Sequence, residues 1–141
     1  MKLFFRTIGE GTPLIILHGL WGASENWLPI AHILENKFRV ILPDARNHGQ
    51  SPHDEEMNYD KRQVSKHFDE ISGCPDNLPF ATYGKEILFI KGEQSNLITG
   101  LDTLQKQFPA ARLIELPRCG HWIHSEQPEK LAQAIKDFIF D

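Results

Sequence analysis

Residues 14–27 read LIILHGLWGASENW. Four apolar residues in a row (14–17) are too few for a helix and suit a strand buried on both faces. His18-Gly19 ends the run. Ser24 then stands as the cap of a helix whose apolar positions are Trp27, Ile30, Ala31 and Leu34, spaced i, i+3, i+4, i+7. Strand, glycine-broken loop and amphipathic helix in that order make the first half of a βα unit.

The same alternation continues on both sides. KLFFRT (2–7) suits an edge strand closed by the turn GEGTP, and RVIL (39–42) the next strand. From Ser51 to Lys85 no strand-like apolar run occurs. Val64, Phe68 and Ile71 mark at most one short amphipathic helix there. ILFIK (87–91) then suits a buried strand. Leu97, Leu101, Leu104 and Phe108 suit a helix stopped by Pro109, and RLIEL (112–116) a further strand. Leu131, Ala134, Ile135, Phe138 and Ile139 mark a terminal amphipathic helix with Pro128 near its start. Alternation of this kind predicts an α/β fold with a mainly parallel sheet.

Bulk properties narrow the function classes. The chain has 141 residues, enough for one domain, with 40% hydrophobic and 24% charged residues. Its net charge of −4, with lysines and arginines scattered, gives no footprint for nucleic acid or an anionic membrane. No apolar run approaches the ~18 residues needed to span a bilayer. The N-terminus lacks a signal peptide's apolar region and cleavage site, so a cytoplasmic location is expected. Cys74 and Cys119 have no zinc spacing and read as thiols in a reducing compartment.

Three stretches place chemistry at strand ends, where open α/β sheets hold their ligands. They are LIILHGLWGASENW, VILPDARNHGQSP (40–52) and CGHWIHSEQPEKL (119–131). In this order they resemble the α/β-hydrolase superfamily, and within it the small acyl-ester hydrolases with the pattern H-G-L-[aromatic]-G-x-x-x-N-W. Residues 1–60 and 84–141 carry the likeness. It implies a three-layer α/β-hydrolase-like fold with a reduced, mostly parallel sheet, in one domain over residues 1–141. Residues 1–60 would form the N-terminal half with its oxyanion loop, 61–83 a lid remnant or seam, and 84–141 the C-terminal half. The resemblance also assigns roles. Leu20 would offer its backbone N–H to an oxyanion hole. His121 would be the general base and then the general acid. Gly19, Trp21 and Trp122 would line the substrate pocket. His18 reads as a packed loop histidine, His124 as structural, and Asp44, Arg46, Gly49 and Ser51 as residues that fix a loop. The implied substrate is a small acyl ester, and no cofactor or metal is expected.

The family's nucleophile sits on a G-x-S-x-G elbow between a strand and a helix. Ser24, Ser51, Ser65, Ser72, Ser95 and Ser125 all lack glycine at −2 and +2, and no Asp or Cys occupies such an elbow. Members of the family run to roughly 250 residues. An internal loss between about Tyr59 and Gly84 would remove two strands, their helices and most of the lid. The acid would go with them, leaving Glu93 as the local substitute. Cys119, two residues before His121, could form a dyad with it but reads first as a buried structural cysteine.

Three accounts remain: an esterase-type protein by descent whose chain lacks its nucleophile, a non-catalytic α/β binding module, or a fragment of a full-length esterase. Two structural expectations go with the first. The sheet would close its gap, in the order KLFFRT, RVIL, LIIL, ILFIK, RLIEL. One sheet face would also stay undercovered, inviting self-association.

Overall fold

Strand β3 (Phe38–Pro43) is the backbone of the N-terminal sheet. Phe38, Val40 and Leu42 are fully buried, while Arg39 is exposed between them. This period-2 alternation puts one face of the strand in the core and the other outside. β1 (Phe5–Ile8) pairs antiparallel with β3, Thr7 opposite Ile41. β2 (Thr12–Ile15) pairs parallel on its other side, Leu14 opposite Val40, and the Ile16 N–H continues the ladder to Ile41 O at 3.0 Å.

The computed structural model describes residues 2–53, 86–98 and 100–140. The helix expected around Val64, Phe68 and Ile71, the lid remnant at 61–83, Ser65, Ser72 and Cys74 lie outside the described residues. The chain divides into two compact units, Met1–Glu56 with Trp122–Asp141, and Met57–His121.

In the first unit a 3-10 turn (Ser24–Trp27) leads into α1 (Leu28–Leu34), with Pro29 in the first turn, where a missing N–H costs nothing. Ile30, Ala31 and Leu34 are fully buried, as their spacing predicts. α1 packs on β3 and on α4 (Pro128–Phe140), whose Leu131, Ala132 and Ala134 are buried. Phe140 sets its ring 5.3 Å from that of Phe38, and Lys136 Nζ donates to Ile33 O across the helix pair at 3.2 Å. Each large apolar side chain buried here is worth roughly 1.5–3 kcal/mol. A short turn of helix, α3 (Ile123–Glu126), precedes α4.

In the second unit β4 (Ile87–Gly92) runs parallel to β5 (Ala111–Leu116), from Ile87 opposite Ala111 to Gly92 opposite Leu116. The cross-strand pair Lys91 and Glu115 forms an ion pair at 3.1 Å. α2 (Leu101–Gln107) lies between the two strands in sequence. The Phe108 ring that follows it sits 5.5 Å from that of Phe89.

Three expectations need correction. Ser24 does not cap the helix after the first loop: the 3-10 turn begins after Ala23, whose N–H donates to Asn26 Oδ1 at 2.7 Å, α1 begins after Trp27, and the Ser24 side chain is bound elsewhere. α2 starts at Leu101 rather than Leu97, which is 59% exposed ahead of the extended Gly100. The five strands form two sheets, β1-β3-β2 and β4-β5. The first lies in the first unit and the second in the second unit, and each keeps its expected order. The expected closure assumed that β2 is buried on both faces. Instead Ile15 is 62% and Leu17 71% exposed. In the first unit Phe5 and Ile15 pair with Pro43 and Ile41 on the side of β3 opposite its buried residues, and both are exposed.

Candidate active site

The loop after β3 is organised by one carboxylate. Asp44 is 1% exposed. Its Oδ1 accepts the Ser24 N–H at 2.6 Å and its Oδ2 the Gln50 N–H at 2.9 Å. Burial acts to raise its pKa. The N–H groups of Gln50 and Ser24, the Ser24 hydroxyl and the nearby His18 outweigh burial and bring it below the ordinary aspartate value. Gly49 turns the loop at φ +51°, and a Cβ there would collide with the Asp44 carboxylate. Ser51 closes the loop, its hydroxyl donating to Asp44 O at 2.7 Å and accepting from the Phe4 N–H at 2.9 Å. Asp44, Gly49 and Ser51 thus hold the loop, as the sequence implied. The missed members are Arg6 and Ser24. Arg6 Nε donates to Ser24 Oγ at 3.2 Å and Nη2 to Glu25 at 2.8 Å. No local signal marks this pairing, because the partners lie 18 residues apart.

The expected oxyanion loop follows β2. Gly22 N–H donates to Gly19 O at 3.0 Å, and Trp21 takes φ +66°. An i to i+3 bond with a left-handed third residue is the pattern of a type II turn. A non-glycine residue in that conformation costs roughly 1–2 kcal/mol, a strain that clusters at functional sites. Gly19 is exposed, Leu20 is 47% and Trp21 62% exposed. His18 is bound on both ring nitrogens, Nδ1 to Gly19 O at 2.8 Å and Nε2 to the Ala45 N–H at 3.0 Å, which makes it the loop histidine anticipated.

His121 ends the second unit and is exposed. Two residues earlier Cys119 is fully buried, its Sγ facing Gly120 O at 3.7 Å. Buried thiol and exposed imidazole are ill matched as a dyad, and Cys119 is a core residue. Glu93, the local acid candidate, commits Oε2 to the Arg118 N–H at 2.7 Å, at a backbone position with φ +55°. The serines are similarly committed. Ser24, Ser51 and Ser95 are buried, and Ser125, which is exposed, lies in the short helix α3. None of the four described serines stands on a strand-to-helix elbow.

Trp122 is 55% exposed and lines a cleft of about 230 Å³ with Asn26, Pro29, His124, Ser125 and Pro128. The His124 ring is held between Trp27, stacked at 4.8 Å, and the edge of Trp122 at 5.7 Å. His124 is therefore a packing residue. Gly19 and Trp21, the other expected pocket residues, stand on the loop after β2 and do not line this cleft. Among the described residues no three His, Cys, Asp or Glu side chains could hold a metal ion, and no helix is long and apolar enough to cross a membrane.

Comparison with known proteins adds to this geometry. A model of the alpha/beta hydrolase fold matches residues 12–72. An sn-1-specific diacylglycerol lipase of Xenopus laevis is 51% identical over 51 residues, which are 35% of this chain and 16% of that protein. An esterase of Escherichia coli is 44% identical over 50 residues, 36% of this chain and 20% of the esterase. The chain thus matches only about a fifth or less of the length of these curated relatives. Among solved structures, a marine microorganism esterase superposes with a TM-score of 0.76 at 23% identity, over 97% of this chain and 99% of the other. E-2-(acetamidomethylene)succinate hydrolase does so with a TM-score of 0.72 at 14% identity, over 99% and 95%. Mostly parallel ladders, the motif-bearing loops at strand ends and these likenesses agree: the chain has an α/β-hydrolase-type fold and is similar, over about a third of its length, to esterases and lipases of that fold.

Proposed function

We propose that this chain descends from a small acyl-ester hydrolase and retains its oxyanion arm, the Leu20 N–H, and its base, His121, without a serine nucleophile. The observation that carries this reading is the missing elbow. No serine has glycine at −2 and +2, and of the four described serines three are buried. The motifs flanking the gap are intact, which supports an internal loss between about Tyr59 and Gly84 in what was one domain over residues 1–141. Glu93, just after the ILFIK strand and two residues before Ser95, is the remaining acid candidate. Gly19, Trp21 and Trp122 are the remaining pocket residues, the ligand class is a small acyl ester, and the setting is cytoplasmic, where the buried thiol of Cys119 stays reduced.

A catalytic triad acts as a unit, so loss of the nucleophile alone removes a factor of about 10⁶ in turnover. The chain is therefore expected to hydrolyse p-nitrophenyl acetate at no more than the rate an exposed imidazole supports. His121→Ala should lower that residual rate, and a fluorophosphonate should label no serine stoichiometrically. Stoichiometric labelling of one serine, with turnover lost in His121→Ala, would show a working esterase and overturn the proposal.

A second reading rests on the open sheet face. Phe5, Ile15 and Leu17 are 55%, 62% and 71% exposed in one unit. Apolar area of this kind favours association, and we propose that the chain self-associates through it. Light scattering is expected to give a mass above 16.2 kDa that falls in Ile15→Lys. A monomer at high concentration would refute this.

A further inference from the structure

We propose that His18 is the positioning residue of the oxyanion loop: its ring grips the Gly19 carbonyl and so aims the Leu20 N–H. The inference rests on the reading of Leu20 as the oxyanion donor and asks what holds that donor. Gly19 O accepts from His18 Nδ1 at 2.8 Å and from the Gly22 N–H at 3.0 Å. No cis peptide occurs among the described residues, and in a planar trans peptide the C=O and N–H point in opposite directions. Gly19 O and Leu20 N belong to one such peptide. Holding the carbonyl inside the turn therefore holds the N–H outward. Among the described residues the Leu20 N–H donates to no protein group, which leaves it for a ligand.

The other ring nitrogen makes the grip specific. Nε2 accepts the Ala45 N–H at 3.0 Å. A neutral imidazole that accepts at Nε2 carries its proton on Nδ1, the nitrogen that faces Gly19 O. One bond thus selects the tautomer that the other needs. The ring ties the loop after β2 to the loop after β3, with the His48 ring 5.1 Å away beside it. Gly22 fits this closure: a Cβ there would stand 3.1 Å from both Gly19 O and His18 Cβ.

Two variants separate the two arms. His18→Asn places an amide nitrogen near the position of Nδ1 and keeps the Gly19 arm. His18→Gln places a carbonyl near the position of Nε2 and keeps the Ala45 arm. The readouts on the intact chain are the N–H residual dipolar coupling of Leu20, which reports its direction, and hydrogen exchange at Ala45. In His18→Ala the Leu20 coupling should collapse toward zero, and Ala45 exchange should rise about tenfold or more as its bond is lost. His18→Asn should restore the Leu20 coupling alone, and His18→Gln the Ala45 protection alone. Nitrogen shifts of the wild-type ring should show the Nδ1–H tautomer. A Leu20 coupling unchanged in His18→Ala would overturn the proposal. Should that variant unfold, a Leu20 coupling in His18→Asn no closer to wild type than in His18→Gln would overturn it equally. Titration with methylphosphonate tests the underlying reading separately. A wild-type Leu20 amide that does not shift refutes the oxyanion role, while the coupling data still decide whether His18 sets the direction of that N–H.

Discussion

Asp44→Asn is expected to lower the unfolding free energy by about 3 kcal/mol at pH 7, because it removes a buried charge that the N–H groups of Ser24 and Gln50 share. The measurement is urea unfolding followed by tryptophan fluorescence. Asp44 is 1% exposed and accepts the N–H groups of Ser24 and Gln50 on its two oxygens. Asparagine keeps one acceptor and turns an NH₂ toward the other N–H, leaving a donor against a donor. Glu25→Gln is the control. It breaks the ion pair with Arg6, but the Glu25 side chain is 66% exposed and such pairs contribute about 0.5 kcal/mol or less.

The same residue sets a pH dependence. The folded pKa of Asp44 lies below its ordinary value of 3.8. A carboxylate with a depressed folded pKa contributes stability that is complete above the unfolded value and lost as pH falls through the folded one. The gap between wild type and Asp44→Asn should therefore hold constant from pH 7 down to about pH 5 and narrow from about pH 4 downward. A gap that stays constant down to pH 3 would mean that the Asp44 charge is not what the loop uses. The consequence extends beyond stability. Asp44 orders the loop whose Ala45 N–H holds His18, and His18 holds the Gly19–Leu20 peptide.

How much of this could be read from the sequence depended on the range of the interactions. Val40 and Leu42 declared themselves within the short apolar run RVIL, and Ile30, Ala31 and Leu34 by helical spacing, because each pattern is complete within a few residues. The loop-fixing roles of Asp44, Gly49 and Ser51 came with the family resemblance, whose motif holds all three within eight positions of one another. Ser24 was misread as a helix cap because its partners, Arg6 and Asp44, lie 18 and 20 residues away. The expectation that the LIIL strand is buried on both faces failed because apolar content was taken as proof of burial. Ile15 and Leu17 are as apolar as a central strand requires, yet they are exposed on the face that the expected internal loss would have uncovered. The nucleophile is a different case: its absence is a property of the sequence itself.

Gly92→Ala should cost about 3 kcal/mol or more, a clash with fixed backbone of the kind that exceeds ordinary overpacking. Gly92 ends β4, opposite Leu116, and is buried. A Cβ at this position would run into the carbonyl oxygens of Cys119 and Gly120, with the Cys119 carbonyl carbon at 2.7 Å. These are main-chain atoms, so no rotamer change relieves the contact. Nor is the opposing segment loose. Glu93 N–H donates to Leu116 O at 2.9 Å, Gln94 N–H to Cys119 O at 3.0 Å, and Arg118 N–H to Glu93 Oε2 at 2.7 Å. Close approach of the β4 end to the chain after β5 is therefore a condition of this corner, and only glycine permits it. The residue after that corner is His121. Thermal unfolding should show the midpoint falling by about 10 °C, and the His121 ring resonances should shift even where the variant remains folded. Gly100→Ala supplies the comparison: a Cβ there meets nothing within 4 Å, and its φ of 160° is extended. That change should stay within about 0.5 kcal/mol of wild type. Equal effects at the two glycines would mean that chain entropy, not the contact at Cys119 and Gly120, governs the corner that presents His121.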